Sequence, residues 1–96
     1  MKMNYGVFPV QDIFMIKGRG VVVAGKVAEG TFQVGDDIII IRHDGSEIKS
    51  TIRSIEIFGH IEYAQKGDNV GLLLSDVAID DIGKGDIIKR QSILNQ

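Results

Sequence analysis

The chain has 96 residues, with 11 lysines and arginines against 13 aspartates and glutamates, a formal net charge of -2 and 44% hydrophobic residues. That length can enclose one hydrophobic core but not two, and the composition lies well away from that of disordered chains. The acidic balance excludes a grip on nucleic acid spread over the whole surface, and the absence of cysteine excludes both a disulfide framework and a thiolate site.

The amino terminus, Met1-Lys2-Met3-Asn4-Tyr5-Gly6, has no signal-peptide apolar stretch, and no window approaches the roughly 18 apolar residues of a membrane span. The expectation is a cytoplasmic protein with no membrane partner. Residues 7–92 are expected to form a single domain, preceded by an N-terminal segment 1–6 and followed by a C-terminal tail 93–96.

In chain order, the first predicted strand spans about residues 7–16, with Pro9 suited to a strand start or an edge because it cannot donate to a ladder. The second, 20–27, puts Val21, Val23 and Val27 on one face and Val22, Ala24 and Lys26 on the other, the period of a half-buried strand. Residues 30–35 read as a turn with a short bridging segment at Thr31-Phe32, and 37–42 as the third strand. The fourth, 48–58, changes parity between Ile48/Ile52 and Ile55/Ile57, which predicts a β-bulge near Arg53-Ser54 if all four point inward. The fifth strand is 69–75 and the sixth runs from 86 to about 92, with a single helical turn between them near residues 77–82.

Four glycine–aspartate pairs punctuate these runs. Gly35-Asp36, Gly67-Asp68 and Gly85-Asp86 each launch a strand, and Asp44-Gly45 is a two-residue hairpin signal. Glycine accepts positive φ, and an aspartate oxygen can accept the backbone N–H two residues on.

None of the segments that imitate a catalytic motif carries chemistry. Gly20-Val21-Val22-Val23-Ala24-Gly25-Lys26-Val27 has the spacing of a phosphate-cradling loop, but Val27 has no oxygen for magnesium and three consecutive valines prefer an extended strand. His43 and His60 fall in predicted turns with no cysteine nearby, and read as solvated rather than metal-binding. Asp80-Asp81 diverge as neighbours, and no serine sits in a nucleophile elbow. No catalytic residue, metal ligand or cofactor site is expected, and the chain does not read as an enzyme.

The turns and strands taken in series resemble the second domain of translational GTPases, elongation factor Tu in particular. The matching segments are Gly18-Arg19-Gly20-Val21-Val22-Val23-Ala24-Gly25-Lys26-Val27, Gly30-Thr31-Phe32-Gln33-Val34-Gly35-Asp36, Ile55-Glu56-Ile57-Phe58, Gly67-Asp68-Asn69-Val70-Gly71-Leu72-Leu73-Leu74 and Asp81-Ile82-Gly83-Lys84-Gly85-Asp86. The resemblance runs from about Phe8 to Arg90. It implies an all-β fold, a closed six-stranded antiparallel barrel without a nucleotide pocket, which in the full factors packs beside a GTPase domain. It also implies contacts to the aminoacylated 3′ end of transfer RNA and to the small ribosomal subunit.

Carried over by motif, Glu56 is similar to the glutamate that meets the terminal adenosine, and Asp12, Phe14 and Asn69 resemble walls of the aminoacyl pocket. Arg19 matches the family arginine at the start of the second strand, suited to a phosphate or a carboxylate. As plain strand residues, Phe14 would be core, Asn69 would close a turn and Glu56 would alternate outward between Ile55 and Ile57. Gln11 replaces a second acid, Val21 and Ala24 replace threonines, and Gly59-His60 replaces an Arg-Lys pair.

Two function classes follow. One is a stand-alone barrel that binds RNA, such as the transfer RNA 3′ end, or the ribosome and its machinery. The other is a protein-interaction module that has lost RNA binding and meets a protein with a GTPase domain or a second copy of itself. The second draws on Ile38 to Ile41 and Leu72 to Leu74, which are apolar on both strand faces and leave outward surface to cover.

Overall fold

Alternation of apolar and polar side chains makes short antiparallel strands the dominant element in the computed structural model, which describes residues 5–91. They are β1 (Tyr5–Pro9), β2 (Asp12–Ile16), β3 (Gly20–Lys26), β4 (Glu29–Gln33), β5 (Asp37–Ile41), β6 (Glu47–Glu56), β7 (His60–Ile61), β8 (Tyr63–Gln65), β9 (Asn69–Leu74) and β10 (Ile87–Gln91). A 3-10 turn at Ile79–Asp81 fills part of the predicted helical stretch, with the Asp81 carboxylate accepting the Ala78 N–H at 2.8 Å. Among the described residues no helix is long and apolar enough to cross a membrane.

The first predicted strand is two strands. β1 pairs with β10 and β2 with β3, and the chain crosses between them at Val10-Gln11. There the Val10 N–H donates to the Asp86 carbonyl at 2.8 Å and the Gln11 N–H to the Ala24 carbonyl at 2.9 Å. Pro9, which has no N–H, ends β1 at this crossing rather than starting a strand.

The strand order is β2-β3-β9-β6-β5-β10-β1, continued by β4 and β8, with β7 paired to β6. Taking β1 and β2 as one bent strand, the six predicted strands are all present in this ring. The hydrogen-bonded sheet is not closed, however: β1 and β2 sit at opposite ends of the ring order, and the chain itself joins them. At the seam β1 passes so close to β3 that a Cβ on Gly25 would meet the Pro9 carbonyl oxygen at 2.6 Å. The predicted turn at 30–35 is largely strand, since β4 pairs with both β1 and β8.

Inside the barrel Phe8 and Phe32 meet edge to face, centroids 6.0 Å apart at 82°, and both are fully buried. Val21, Val23, Ile38, Ile40, Ile52, Ile55, Leu72 and Ile88 pack around them. The predicted bulge is present: Ile52 pairs with Leu74 and Ser54 with Leu73, leaving Arg53 extra. Ile52 and Ile55 then both point inward, but Ile57 does not; it lies beyond the end of β6 and is 44% exposed.

The three strand-launching turns share one geometry, different from the one expected. In each, the aspartate N–H donates to the carbonyl three residues back (Asp36 to Gln33, Asp68 to Gln65, Asp86 to Gly83). The aspartate carboxylate accepts the N–H of that same earlier residue, at 2.7, 2.9 and 2.7 Å. Glycine at φ near +90° is what turns the chain back far enough for both bonds. Asp44 behaves as expected and accepts the Ser46 N–H two residues on at 2.9 Å. The hairpin it serves is longer than two residues, because the Arg42 N–H donates to the Ser46 carbonyl and His43-Asp44-Gly45 form the loop with Gly45 left-handed. Ser92 and the tail 93–96 lie outside the described residues, and β1 already begins at Tyr5, inside the segment 1–6 expected to precede the domain.

Candidate functional site

Pairing across β2, β3, β9, β6 and β7 lines up Asp12, Ala24, Gly71, Glu56 and His60 in one row. Directly paired residues project to the same side of a sheet, and here that side is the outside of the barrel, since Val23 and Leu72 of the alternate set are fully buried. The neighbouring rows on this face are Phe14-Val22-Leu73-Ser54 and Lys26-Asn69. Four of the five sequence-predicted site residues, Asp12, Phe14, Glu56 and Asn69, therefore share one outer face, and Arg19 reaches it from the β2–β3 turn.

At the centre of the face stand only Ala24 and Gly71, so its floor is low between Asp12 and Glu56, which are three strand spacings or about 14 Å apart. A Cβ on Gly71 would come within 3.2 Å of Val22 Cγ1, a tight approach that a larger residue could make only if Val22 shifted. Phe14 is not core; it is 46% exposed and stands over one side of the floor. Asn69 is exposed at the start of β9, opposite Lys26. Asp12 accepts the Ile13 N–H at 2.9 Å and lies 3.9 Å from Lys84 Nζ.

The Arg19 guanidinium donates to Glu56 Oε2 at 3.0 Å. The Val22-Leu73-Ser54 row lies between that turn and Glu56, and Leu73, on the outer face, is nonetheless only 5% exposed. Beyond Glu56 a polar chain continues. Ser54 Oγ lies 3.3 Å from Glu56 Oε2 and 3.1 Å from His60 Nδ1, and His60 Nε2 lies 2.6 Å from Glu62 Oε2. Arg19, foremost by its hydrogen bond, holds the Glu56 carboxyl below its usual value, against a smaller opposing effect of desolvation.

Ser54, His60 and Glu62 have the residue types of a hydrolytic triad, but the geometry does not perform that chemistry. Ser54 is 6% exposed, and its hydroxyl is shared with the carboxylate of Glu56, which leaves no approach for a carbonyl. Among the described residues no group of three or more histidines, aspartates or glutamates is placed to hold a metal ion. Neither histidine is simply solvated: His60 lies in β7 within this chain, and His43 Nδ1 is 3.0 Å from the buried carboxylate of Asp86.

The elongation factor Tu domain 2 family model matches residues 20–88. The chain belongs to this family. Within this elongation factor Tu domain 2 barrel the matched stretch begins at the first residue of β3 and carries Glu56, Asn69 and the whole Ser54–Glu62 chain. Asp12, Phe14 and Arg19 precede it, and the ladder between β2 and β3 is what brings them to the same face.

Two residues of the domain 2 face went unread as site residues. Lys26 shares a parity with Val22 and Ala24 that was legible in the sequence, yet its nearness to Asn69 depends on the β3–β9 pairing. Phe58, fully exposed at the tip of the β6–β7 hairpin, gives no signal in a sequence where phenylalanine reads first as core.

Proposed function

We propose that this translation-factor barrel is a non-catalytic binding domain for the 3′ end of an RNA, with transfer RNA as the substrate class. The observation that carries the reading is the gathering of Arg19, Glu56, Asp12, Phe14 and Asn69 around a floor of Ala24 and Gly71. Glu56 can accept from a ribose hydroxyl through its second oxygen, Arg19 can donate to a phosphate, Phe14 can stack on a base or cover an apolar aminoacyl side chain, and Asn69 can donate to a carbonyl. Lys26, exposed beside Asn69, adds a second cation to the face.

Titration of aminoacylated and uncharged transfer RNA at two salt concentrations tests this. Saturable, salt-sensitive binding weakened by Arg19→Ala and by Glu56→Ala is the expected result. Absence of saturable binding, or indifference to both substitutions, removes the reading.

A second reading, a protein-docking module, is favoured by one observation. Phe58 is fully exposed and Ile57 is 44% exposed at the same hairpin tip, a pairing that soluble surfaces usually cover. Its partner would be a second copy of the chain or a GTPase-domain protein in the cytoplasm. Light scattering after gel filtration distinguishes the first case, since a strict monomer excludes it.

A further inference from the structure

The Ser54 hydroxyl has one proton and two neighbours that compete for it, the Glu56 carboxylate and the His60 ring. Which neighbour receives it follows from the far side of the ring. Glu62 Oε2 stands 2.6 Å from His60 Nε2, and a carboxylate can only accept, so Nε2 carries a hydrogen. When His60 is neutral, Nδ1 then bears a lone pair and takes the Ser54 proton. The serine oxygen turns a lone pair toward Glu56, which is held by Arg19 alone. When His60 is protonated, Nδ1–H donates to Ser54 Oγ, and the serine proton is released to Glu56 Oε2. Every link of the chain Glu62, His60, Ser54, Glu56, Arg19 then has a donor: His60 donates to both Glu62 and Ser54, and Ser54 and Arg19 both donate to Glu56.

We infer that Ser54 and His60 are positioning residues for Glu56, and that protonation of His60 fixes the Glu56 carboxylate for its ligand. The inference rests on Arg19 and Glu56 being the ligand-contacting pair. Imidazole is the side chain whose ordinary charge change falls between about pH 5 and 8, so pH 6 and pH 8 are the conditions to compare. The charged groups facing it are Arg19 from the β2–β3 turn, Glu56 from β6 and Glu62 after β7, with Asp12 of β2 and Lys26 of β3 farther along the face. Protonation takes the group of Arg19, Glu56, His60 and Glu62 from a net charge of about -1 to about zero, which also favours an anionic ligand. An RNA 3′ end therefore binds more tightly at pH 6 than at pH 8, by about three- to tenfold for one hydrogen bond gained.

Two measurements test this, one of which needs no ligand. Long-range proton–nitrogen NMR spectra of the free protein should show neutral His60 protonated at Nε2. The Glu56 side-chain carbonyl carbon should show an inflection at the His60 midpoint. In Ser54→Ala that inflection disappears while His60 still titrates; in His60→Gln, which keeps the ring's place with a neutral amide, it is absent. A neutral ring protonated at Nδ1, no inflection, or an inflection that survives Ser54→Ala overturns the inference. Uncharged transfer RNA is then titrated at pH 6 and pH 8. Wild type should show the pH effect and both variants should be flat. Binding without a pH effect overturns the positioning role and leaves the RNA reading standing. Absence of binding at either pH removes the RNA reading, and the carbon inflection still decides whether His60 acts on Glu56 through Ser54.

Discussion

Arg19 and Glu56, 37 residues apart in the chain, meet at 3.0 Å only because Arg53 is an extra residue in β6. Ile52 faces the core, and in an unbroken strand Glu56, two pairs farther on, would share its parity and face inward. The bulge reverses this, so Ile55 is fully buried and Glu56 stands outside.

Deleting Arg53 should therefore leave the facing intact. Without the extra residue the pairs Ile52–Leu74, Ser54–Leu73, Ile55–Leu72 and Glu56–Gly71 run consecutively, with both isoleucines still inward and Glu56 still outward. A cooperative urea transition is expected to survive the deletion, and Arg53→Ala, a change at an exposed position, should stay within about 0.5 kcal/mol of wild type. A deletion variant with no cooperative transition would mean that the bend the bulge puts into β6 is needed to close the barrel.

Salt dependence should be shallow. Among the described residues the binding face offers Arg19, Lys26 and Lys84, of which Arg19 and Lys84 already stand against Glu56 and Asp12. With single-stranded RNA each phosphate contact contributes a slope of about -0.7 in a plot of log affinity against log salt, so the slope should lie between about -0.7 and -2.1. Arg19→Ala should reduce it by one contact and weaken binding about tenfold or more, as expected for a charged hydrogen bond. A slope several times steeper would point to cations elsewhere on the barrel.

Much of the fold was legible because it rests on local signals: period-2 runs, glycines at positive φ, and a parity change between Ile52 and Ile55 that a bulge accommodates. What was not legible depends on the third dimension. The break between β1 and β2 occurs where the chain changes partners at Val10-Gln11, and nothing in the run of residues 7–16 announces a partner. Phe14 read as a pocket wall by resemblance and as core by residue type, and its ladder partner Val22, of the outward set of β3, puts it outside. The motif resemblance singled out Arg19 and Glu56 separately, their contact depends on the fold, and the serine and histidine behind Glu56 were out of reach of spacing alone.

Acid should loosen the Asp44 loop only toward the low end of the carboxylate range. The Ser46 hydroxyl, followed by the Ser46 N–H, holds the Asp44 carboxyl below its ordinary value of 3.8. A depressed carboxyl contributes stability that is present above the unfolded value and is lost as pH falls through the folded value, so the effect is confined to the acid side. Carboxyl-carbon NMR titration should show Asp44 titrating low, and Ser46→Ala should move it up toward the ordinary value. An unmoved titration in that variant would mean that the hydroxyl contact at 2.6 Å is not kept in solution.

Arg90 should prove the most costly charged side chain to remove. Its Nε donates to Asp36 Oδ2 at 2.9 Å, and its Nη1 donates to the Thr31 hydroxyl at 2.7 Å and the Thr31 carbonyl at 3.1 Å. Asp36 Oδ2 also accepts the Gln33 N–H, so one guanidinium ties β10 to β4 and to the turn that launches β5. The two side chains are only 13% and 17% exposed, unlike the Arg19–Glu56 pair at 46% and 41%. Removing one partner leaves a poorly solvated charge behind, so Arg90→Met should cost about 3 kcal/mol in urea denaturation. Adding Asp36→Asn should recover part of that loss, because the remaining amide carries no charge to desolvate. If the double variant is no more stable than Arg90→Met alone, the cost lies in the lost Thr31 contacts and the ion pair contributes little.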